Sequence, residues 1–195
     1  MIIDDLIFYR RNAILANLCD EWNKKWSACH DDKEKLMQLV LARQAMPHFA
    51  TFCYNGAGVS KGYCLREFGD YVSGKLFNDV DGVEGYTSCM YVDAKEPITI
   101  NADTTHLMWC DNVDVTVPET KCSVLYISNK SSVHLTLEGY NSVLVYLFDE
   151  SELIIDDADD TCEVIVYRYS DNSNVERGTF CISPKVKIFN KTLKL

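Results

Sequence analysis

Between Leu107 and Tyr169 the hydrophobic positions fall into short runs separated by small polar corners, and the pattern recurs. The runs are Leu107-Met108-Trp109, Val124-Leu125-Tyr126-Ile127, Val143-Leu144-Val145-Tyr146-Leu147 and Val164-Ile165-Val166-Tyr167. They lead to the corners Asp111-Asn112, Asn129-Lys130, Asp149-Glu150 and Asp171-Asn172, whose separation grows slightly from one to the next. The first three corners each open a second, alternating strand: Val113, Val115, Val117; Val133, Leu135, Leu137; Leu153, Ile155. Two short strands in a repeat of about twenty residues are the pattern of a solenoid, whose turns share one continuous core. The reading extends both ways. Met90-Tyr91-Val92 followed by alternating Ile98-Thr99-Ile100 makes residues 89–101 a first coil, and Phe180-Cys181-Ile182 with Val186–Phe189 makes a closing one. Residues 89–195 are thus expected to form a parallel β-solenoid of about five coils, each rising ~4.8 Å. A β-sandwich or jelly roll is the alternative, because short strands at spacings of about 8–12 residues also fit it.

Upstream the period changes to that of helices. Leu6, Ile14, Leu18, Trp22 and Trp26 lie at spacings of four or eight and predict one helix over residues 4–27. After the polar break 28–32, a second helix is predicted over Lys33–Ala45, with Leu36, Leu39, Val40 and Arg43 along its buried edge. Pro47 stops or kinks it, and a short helical piece, His48–Tyr54, ends at an Asn55-Gly56 cap. Ser60 caps a further helix, Lys61–Ser73, whose Cys64, Phe68, Tyr71 and Val72 share one face. Residues 1–76 therefore read as a helical attachment or assembly module of three to four helices, and 77–88, rich in Gly, Asp and Asn, as a linker. The class is α+β.

Charge adds an asymmetry. Residues 1–76 hold 10 Lys and Arg against 9 Asp and Glu, a net +1, whereas residues 77–195 hold 9 against 20, a net −11. An acidic C-terminal half disfavours nucleic acid and anionic membranes as partners. No apolar run reaches the ~20 residues of a membrane span, and Met1–Asp5 lacks the basic start of a secretory signal, so cytoplasmic synthesis is expected. Lys191 and Lys194 place positive charge at the last strand edge, where it discourages end-to-end pairing. The nine cysteines are odd in number, lack a Cys-x-x-Cys pair and read as reduced core thiols.

Candidate chemistry is sparse. Cys19, Cys29, His30, His48, Cys53 and Cys64 have no diagnostic zinc spacing. Gly56–Val59 lacks the features of a phosphate loop. Asp149, Glu150 and Glu152, with the cluster Asp156, Asp157, Asp159 and Asp160, could pair for sugar hydrolysis, but Asp is also the residue that turns demand. The aspartates of that cluster are candidate weak cation ligands, and no cofactor is implied. Tyr126, Tyr146 and Tyr167 stand at equivalent places in successive repeats and predict an aromatic ladder, which becomes a candidate binding surface if it faces outward.

A helical module followed by a short acidic β-solenoid resembles the fibre, tailspike and capsid-decoration proteins of tailed bacteriophages. The segment Gly58–Lys75 is similar to one found in proteins of gut Bacteroidetes and their phages. The resemblance implies a non-enzymatic virion component (fibre, tail or capsid decoration) that self-associates, in some cases as a trimer, and contacts other virion proteins. Two alternatives stand beside it: a β-solenoid that binds or cleaves a surface glycan, and an acidic cytosolic regulator or inhibitor of a basic partner.

Overall fold

The structure, a computed structural model, describes residues 2–15, 18–54, 58–79 and 83–192; side chains 2–7, 53 and 54, the Asn55-Gly56 cap and Lys194 lie outside that description. Five helices come first: α1 (Ile2–Leu15), α2 (Asp20–Cys29), α3 (Lys33–Leu41), α4 (Met46–Tyr54) and α5 (Lys61–Phe68), the last continued by a 3-10 turn, Gly69–Tyr71. Twelve strands follow: β1 (Phe77–Asn78), β2 (Thr87–Val92), β3 (Ile98–Thr99), β4 (Thr104–Met108), β5 (Val113–Val117), β6 (Cys122–Ser128), β7 (Ser132–Leu137), β8 (Ser142–Leu147), β9 (Glu152–Ala158), β10 (Glu163–Arg168), β11 (Asn174–Cys181) and β12 (Val186–Asn190).

The strands form a two-sided parallel solenoid. Sheet A has the order β1-β2-β4-β6-β8-β10-β12, and sheet B the order β11-β9-β7-β5-β3. Every neighbouring pair of strands is parallel except β1 with β2, which excludes a sandwich or jelly roll for the described residues. Tyr91 lies beside Leu107, Leu107 beside Ile127, Ile127 beside Leu147, Leu147 beside Arg168 and Arg168 beside Asn190. The first coil is therefore the shortest, and the coils lengthen slightly toward the C-terminus.

The interior is one apolar column. Val113, Val115, Val133, Leu135, Leu153 and Ile155 from sheet B meet Leu107, Leu125, Ile127, Val143, Val145, Val164 and Val166 from sheet A. Each such side chain contributes about 1.5–3 kcal/mol by leaving water. The corners are shaped by short polar residues. Asp93, Asn129 and Asp149 adopt left-handed backbone at φ 57°, 58° and 49°, which Asp and Asn tolerate best, and Trp109 does so at φ 53°. Corners also bond to one another: the Cys110 N–H donates to Ser131 Oγ at 3.1 Å, and the Ser131 N–H to Ser151 Oγ at 3.1 Å.

Residues 1–88 depart from expectation in four places, one of them the helix expected over Lys61–Ser73, which ends at Phe68 in a 3-10 turn. The single helix expected over 4–27 is two helices, since Cys19 takes extended backbone (ψ 160°) and the Leu18 N–H closes α1 on Ala13 O at 2.8 Å. This split makes five helices among the described residues where three or four were expected. Spacings of eight cannot tell one helix from two, and Ile14 is 45% exposed while Ala13 is buried. The second expected helix ends at Leu41, because Ala42 turns extended (ψ 139°); Arg43 is exposed and lies over the Tyr86 ring. Residues 77 and 78, read as linker, pair antiparallel with Ser88 and Thr87, so that stretch holds β1 and the start of β2.

The helices do not stand apart from the solenoid. Leu36, Met37, Leu41, Met46, Ala50, Tyr63, Cys64 and Phe68 share one buried cluster with Met90, Val92, Met108, Tyr126 and Phe148 of the solenoid. Sheet A therefore has an apolar face on each side, one toward the interior and one toward the helices. Gly74 sits at this junction with φ +91°, and a Cβ there would lie 2.3 Å from the Tyr91 ring, closer than any real contact.

Two substitutions test this packing by urea denaturation. Leu135→Ala, in the fully buried column, is expected to cost about 2–5 kcal/mol. Gly74→Ala is expected to cost about 1–3 kcal/mol through its backbone conformation, although it adds only one methyl group.

Candidate functional site

Strand register builds a row of aligned side chains along the outer face of sheet A. On the side of sheet A that faces away from the interior, Met90 lies beside His106, His106 beside Tyr126, Tyr126 beside Tyr146, Tyr146 beside Tyr167 and Tyr167 beside Phe189. The three tyrosines expected to form a ladder are thus brought together, and the ladder continues at both ends. Tyr126 and Tyr146 stack with centroids 4.7 Å apart at 9°, while Tyr146–Tyr167 and Tyr167–Phe189 lie at 5.6 and 5.7 Å, each tilted by 37°. A second file stands beside the first: Phe148 and Tyr169 stack at 5.1 Å and 7°, and Tyr169 stacks on Tyr146 at 6.3 Å.

Burial is graded along this row. His106 is fully buried, Tyr126 is 6% exposed, Tyr146, Tyr167 and Tyr169 are half-buried, and Phe189 is 43% exposed. The helices cover one end and leave the other open. Burial, the largest cause, pushes the Tyr126, Tyr146 and Tyr169 phenols upward, with neighbouring phenols adding to it. These rings spend their faces on each other, so what they offer a ligand is mainly edges and hydroxyls. A sugar platform, by contrast, presents ring faces. Phe189 ends the ladder, and the Lys191 ammonium lies 4.9 Å from the centre of the Tyr167 ring.

The acidic candidates are dispersed. Asp149 is occupied at its corner, accepting from the Asn129 and Lys130 N–H groups and, at 2.7 Å, from the Ser151 hydroxyl. Asp159 accepts from the Thr161 N–H at 2.8 Å and from its hydroxyl, and these bonds hold its carboxyl below the usual range. Asp156 is a bulge residue: Leu135 pairs with Ile155 and Thr136 with Asp157, so the residue between them is displaced. Its carboxylate accepts from His134 Nδ1 at 2.9 Å, while His134 Nε2 meets Asn112 Oδ1 at 2.9 Å. Asn112, His134 and Asp156 form a chain across three coils of sheet B. Its third member is an amide rather than a hydroxyl or thiol, so the histidine has no nucleophile to activate there. Asp157 and Asp160 are exposed and do not join this chain.

Among the described residues no three His, Cys, Asp or Glu side chains converge as a metal would need. Of the thiols expected in the core, Cys29, Cys64, Cys89, Cys110 and Cys162 are buried, whereas Cys19 and Cys122 are exposed because they fall outside the inward-facing positions of their segments. Burial pushes Cys64 up to about 12 and also raises Cys29, Cys89, Cys110 and Cys162, so none of these is a ready thiolate. Among the described residues no helix is long and apolar enough to cross a membrane.

Sequence reasoning passed over His106 and His134, and placed Phe189 in the closing coil without joining it to the ladder. The coil period places His106 one coil before Tyr126, whereas Asn112 and Asp156 each stand two residues out of register with His134, which pairs with Asp114 and Ile154. His106 matters most physically. Its Nε2 bonds Ser128 Oγ at 2.8 Å, Phe49 of α4 meets it edge-on at 6.0 Å, and its Nδ1 is buried without a hydrogen-bond partner. Burial lowers it from 6.5 to about 3. Comparison with protein-family models, with curated proteins and with solved structures returns no match for this chain.

Because the folded state holds His106 neutral and the unfolded chain does not, the unfolded state binds the extra proton between pH 6.5 and about 3. The stability this residue contributes is complete above pH 6.5 and falls by up to roughly 1.4 kcal/mol per pH unit below it. Urea midpoints at pH 7, 5.5 and 4.5 check this. The wild type is expected to lose stability relative to His106→Leu as pH falls, and parallel pH profiles would show that the site is not desolvated.

Proposed function

We propose that the protein is a non-enzymatic structural or attachment protein that self-associates, with the helical module packed on the flank of a short solenoid. The observation that carries this reading is the set of large apolar side chains left open on and beside the last two described strands, where Phe180, Ile182, Ile188 and Phe189 are 71, 69, 42 and 43% exposed. Exposed apolar side chains of this size beside a fully buried column suit a surface that another copy covers. The polar clusters support the same reading, since Asp149, Asp159 and the Asn112–His134–Asp156 chain are engaged in holding corners and adjacent coils together. A role as a fibre, tail or decoration component of a phage particle, with other virion proteins as partners, is the form of this proposal that the resemblance of the sequence suggests.

A second reading has its own observation. The half-buried Tyr146, Tyr167 and Tyr169 present hydroxyls and ring edges on the uncovered part of sheet A, next to the open Phe189 ring. This arrangement suits a glycan held by hydrogen bonds and one stacking contact.

Light scattering over a concentration series separates the two. Two or more copies per particle at the lowest concentrations that scatter measurably are the outcome expected of the structural reading, and a monomer up to the solubility limit would overturn it. For the glycan reading, binding on a glycan array that is lost in Tyr167→Ala is the expected result.

A further inference from the structure

Beyond the helices, the outer face of sheet A is a largely uncharged floor. Val124, Leu144 and Ile165 lie side by side in register, all half-buried, next to the row Tyr126, Tyr146, Tyr167. Among the described residues Glu163 is the one carboxylate on an outward-facing strand position of this sheet, and Lys187 Nζ donates to its Oε1 at 3.4 Å. Sheet B is the opposite, with Asp114, Glu152, Asp156, Asp157 and Glu176 on its outer side. In a chain of net charge −10, the sheet A face is therefore where an anion meets least repulsion.

Cations stand at the two ends of this floor. At the helical end the Tyr86 and Thr104 hydroxyls share a hydrogen bond of 2.5 Å, Thr104 pairs with Val124, and the exposed Arg43 lies over the Tyr86 ring, 5.6 Å from its centre. The Arg43 guanidinium enters no ion pair with a described residue. Burial pushes the Tyr126 phenol upward, and the Arg43 charge reaches it and acts against that push. At the other end Lys191, expected to shield the last strand edge, lies over the Tyr167 ring instead, 4.9 Å from its centre. Between these cations are hydroxyls with nothing to bond. Tyr126 is 6% exposed, yet its hydroxyl reaches solvent and, like those of Tyr146, Tyr167 and Tyr169, has no hydrogen-bond partner among the described residues. A ladder needs only rings, as Phe148 and Phe189 show; the hydroxyls add donors and acceptors that the fold does not use.

We infer that this face holds a linear saccharide lying along the solenoid axis, with carboxylates toward Arg43 and Lys191. The inference rests on the glycan reading above and names its ligand class. Spacing favours a sugar chain over a peptide. An extended peptide advances ~3.3 Å per residue, or ~6.6 Å between side chains on one face, and a polyproline helix ~3.1 Å per residue. Neither keeps step with rings that recur at 4.7 to 5.7 Å, whereas a pyranose ring in a linear chain spans about one such step. Charge favours carboxylates. Two cations on a chain of net charge −10 balance a few single charges, and a densely sulfated chain would be repelled by the rest of the molecule. The planar fork of the guanidinium also matches a carboxylate through two parallel hydrogen bonds.

The test is an array of neutral, carboxylated and sulfated oligosaccharides, with acidic peptides printed on the same slide, read with three full-length proteins: the wild type, Arg43→Gln and Tyr146→Phe. Wild-type binding to oligosaccharides bearing uronic or sialic acid is expected. Titration of the tightest of these by calorimetry is expected to show affinity lowered about 10- to 100-fold in Arg43→Gln and about two- to tenfold in Tyr146→Phe, which keeps the ring and loses the hydroxyl. Both variants are expected to keep the wild-type circular dichroism, since Arg43 is exposed on a turn and the ladder stays aromatic. Binding confined to neutral or to sulfated oligosaccharides, or binding that Arg43→Gln leaves unchanged, overturns the carboxylate assignment and spares the glycan reading when Tyr167→Ala abolishes it. No saccharide binding, with or without capture of the acidic peptides, overturns both. Should Arg43→Gln lose its circular dichroism, Lys191→Gln at the opposite end of the floor gives the same readout.

Discussion

A single coil of a two-sided solenoid cannot fold alone, and most of this structure follows from that. Its interior carries a handful of Val, Leu and Ile side chains, and its backbone has hydrogen-bonding groups pointing along the solenoid axis in both directions. Only a coil above and a coil below can bury the first and pair the second. Neighbouring coils must therefore agree in length and register. Where they do not, the extra residue is pushed out of line, as at Asp156 and again between Arg177 and Phe180. The buried serines serve the same constraint. Ser131 and Ser151 are small enough for the turn, and each accepts a backbone N–H from the preceding coil, so the corner stays dry and bonded.

The two sheets obey this rule with different outer faces, and that difference places the helical module. Sheet B strands alternate, as in Val113-Asp-Val-Thr-Val117, and face solvent. Sheet A strands such as Val124-Leu-Tyr-Ile127 are apolar on both sides, the pattern of strands covered on both faces. Helices α3, α4 and α5 supply that cover over Met90, Met108 and Tyr126. The helices are short, eight or nine residues, and such helices gain most of their stability from packing rather than propensity. The solenoid therefore serves as the surface on which they are ordered. His106 lies in this contact, with Phe49 of α4 on one side and Tyr126 on the other.

How far this was legible in the sequence depends on which contacts are periodic. The coils could be read because Asp and Asn recur at corners that require left-handed backbone, and because interior rows repeat at the coil length. The tyrosine ladder followed from the same spacing. The docking of the helices was also encoded, in the contrast between continuous and alternating strands, but it is easily mistaken for ordinary strand hydrophobicity. The break at Leu18-Cys19 was not legible, because Leu6, Ile14, Trp22 and Trp26 keep a helical spacing across it and neither Gly nor Pro marks it. The Asn112–His134–Asp156 chain escaped notice because its members differ in type. A ladder of identical residues shows itself, whereas a hydrogen-bonded column needs the register first.

The aromatic row and the open end are consequences of the same stacking. Aromatic residues at equivalent positions put rings 4.7–5.7 Å apart whether or not anything binds them, so a ladder alone says little about a ligand. What is informative is where such a column stops. Within the stack, each coil's exposed edge is the next coil's partner, and the last coil inherits an edge with no partner among the described strands. Evolution can retire that edge with a capping helix, a proline or outward lysines. In this chain β1 occupies the sheet A edge of the first coil, whereas no described strand pairs with the outer edges of β3, β11 and β12.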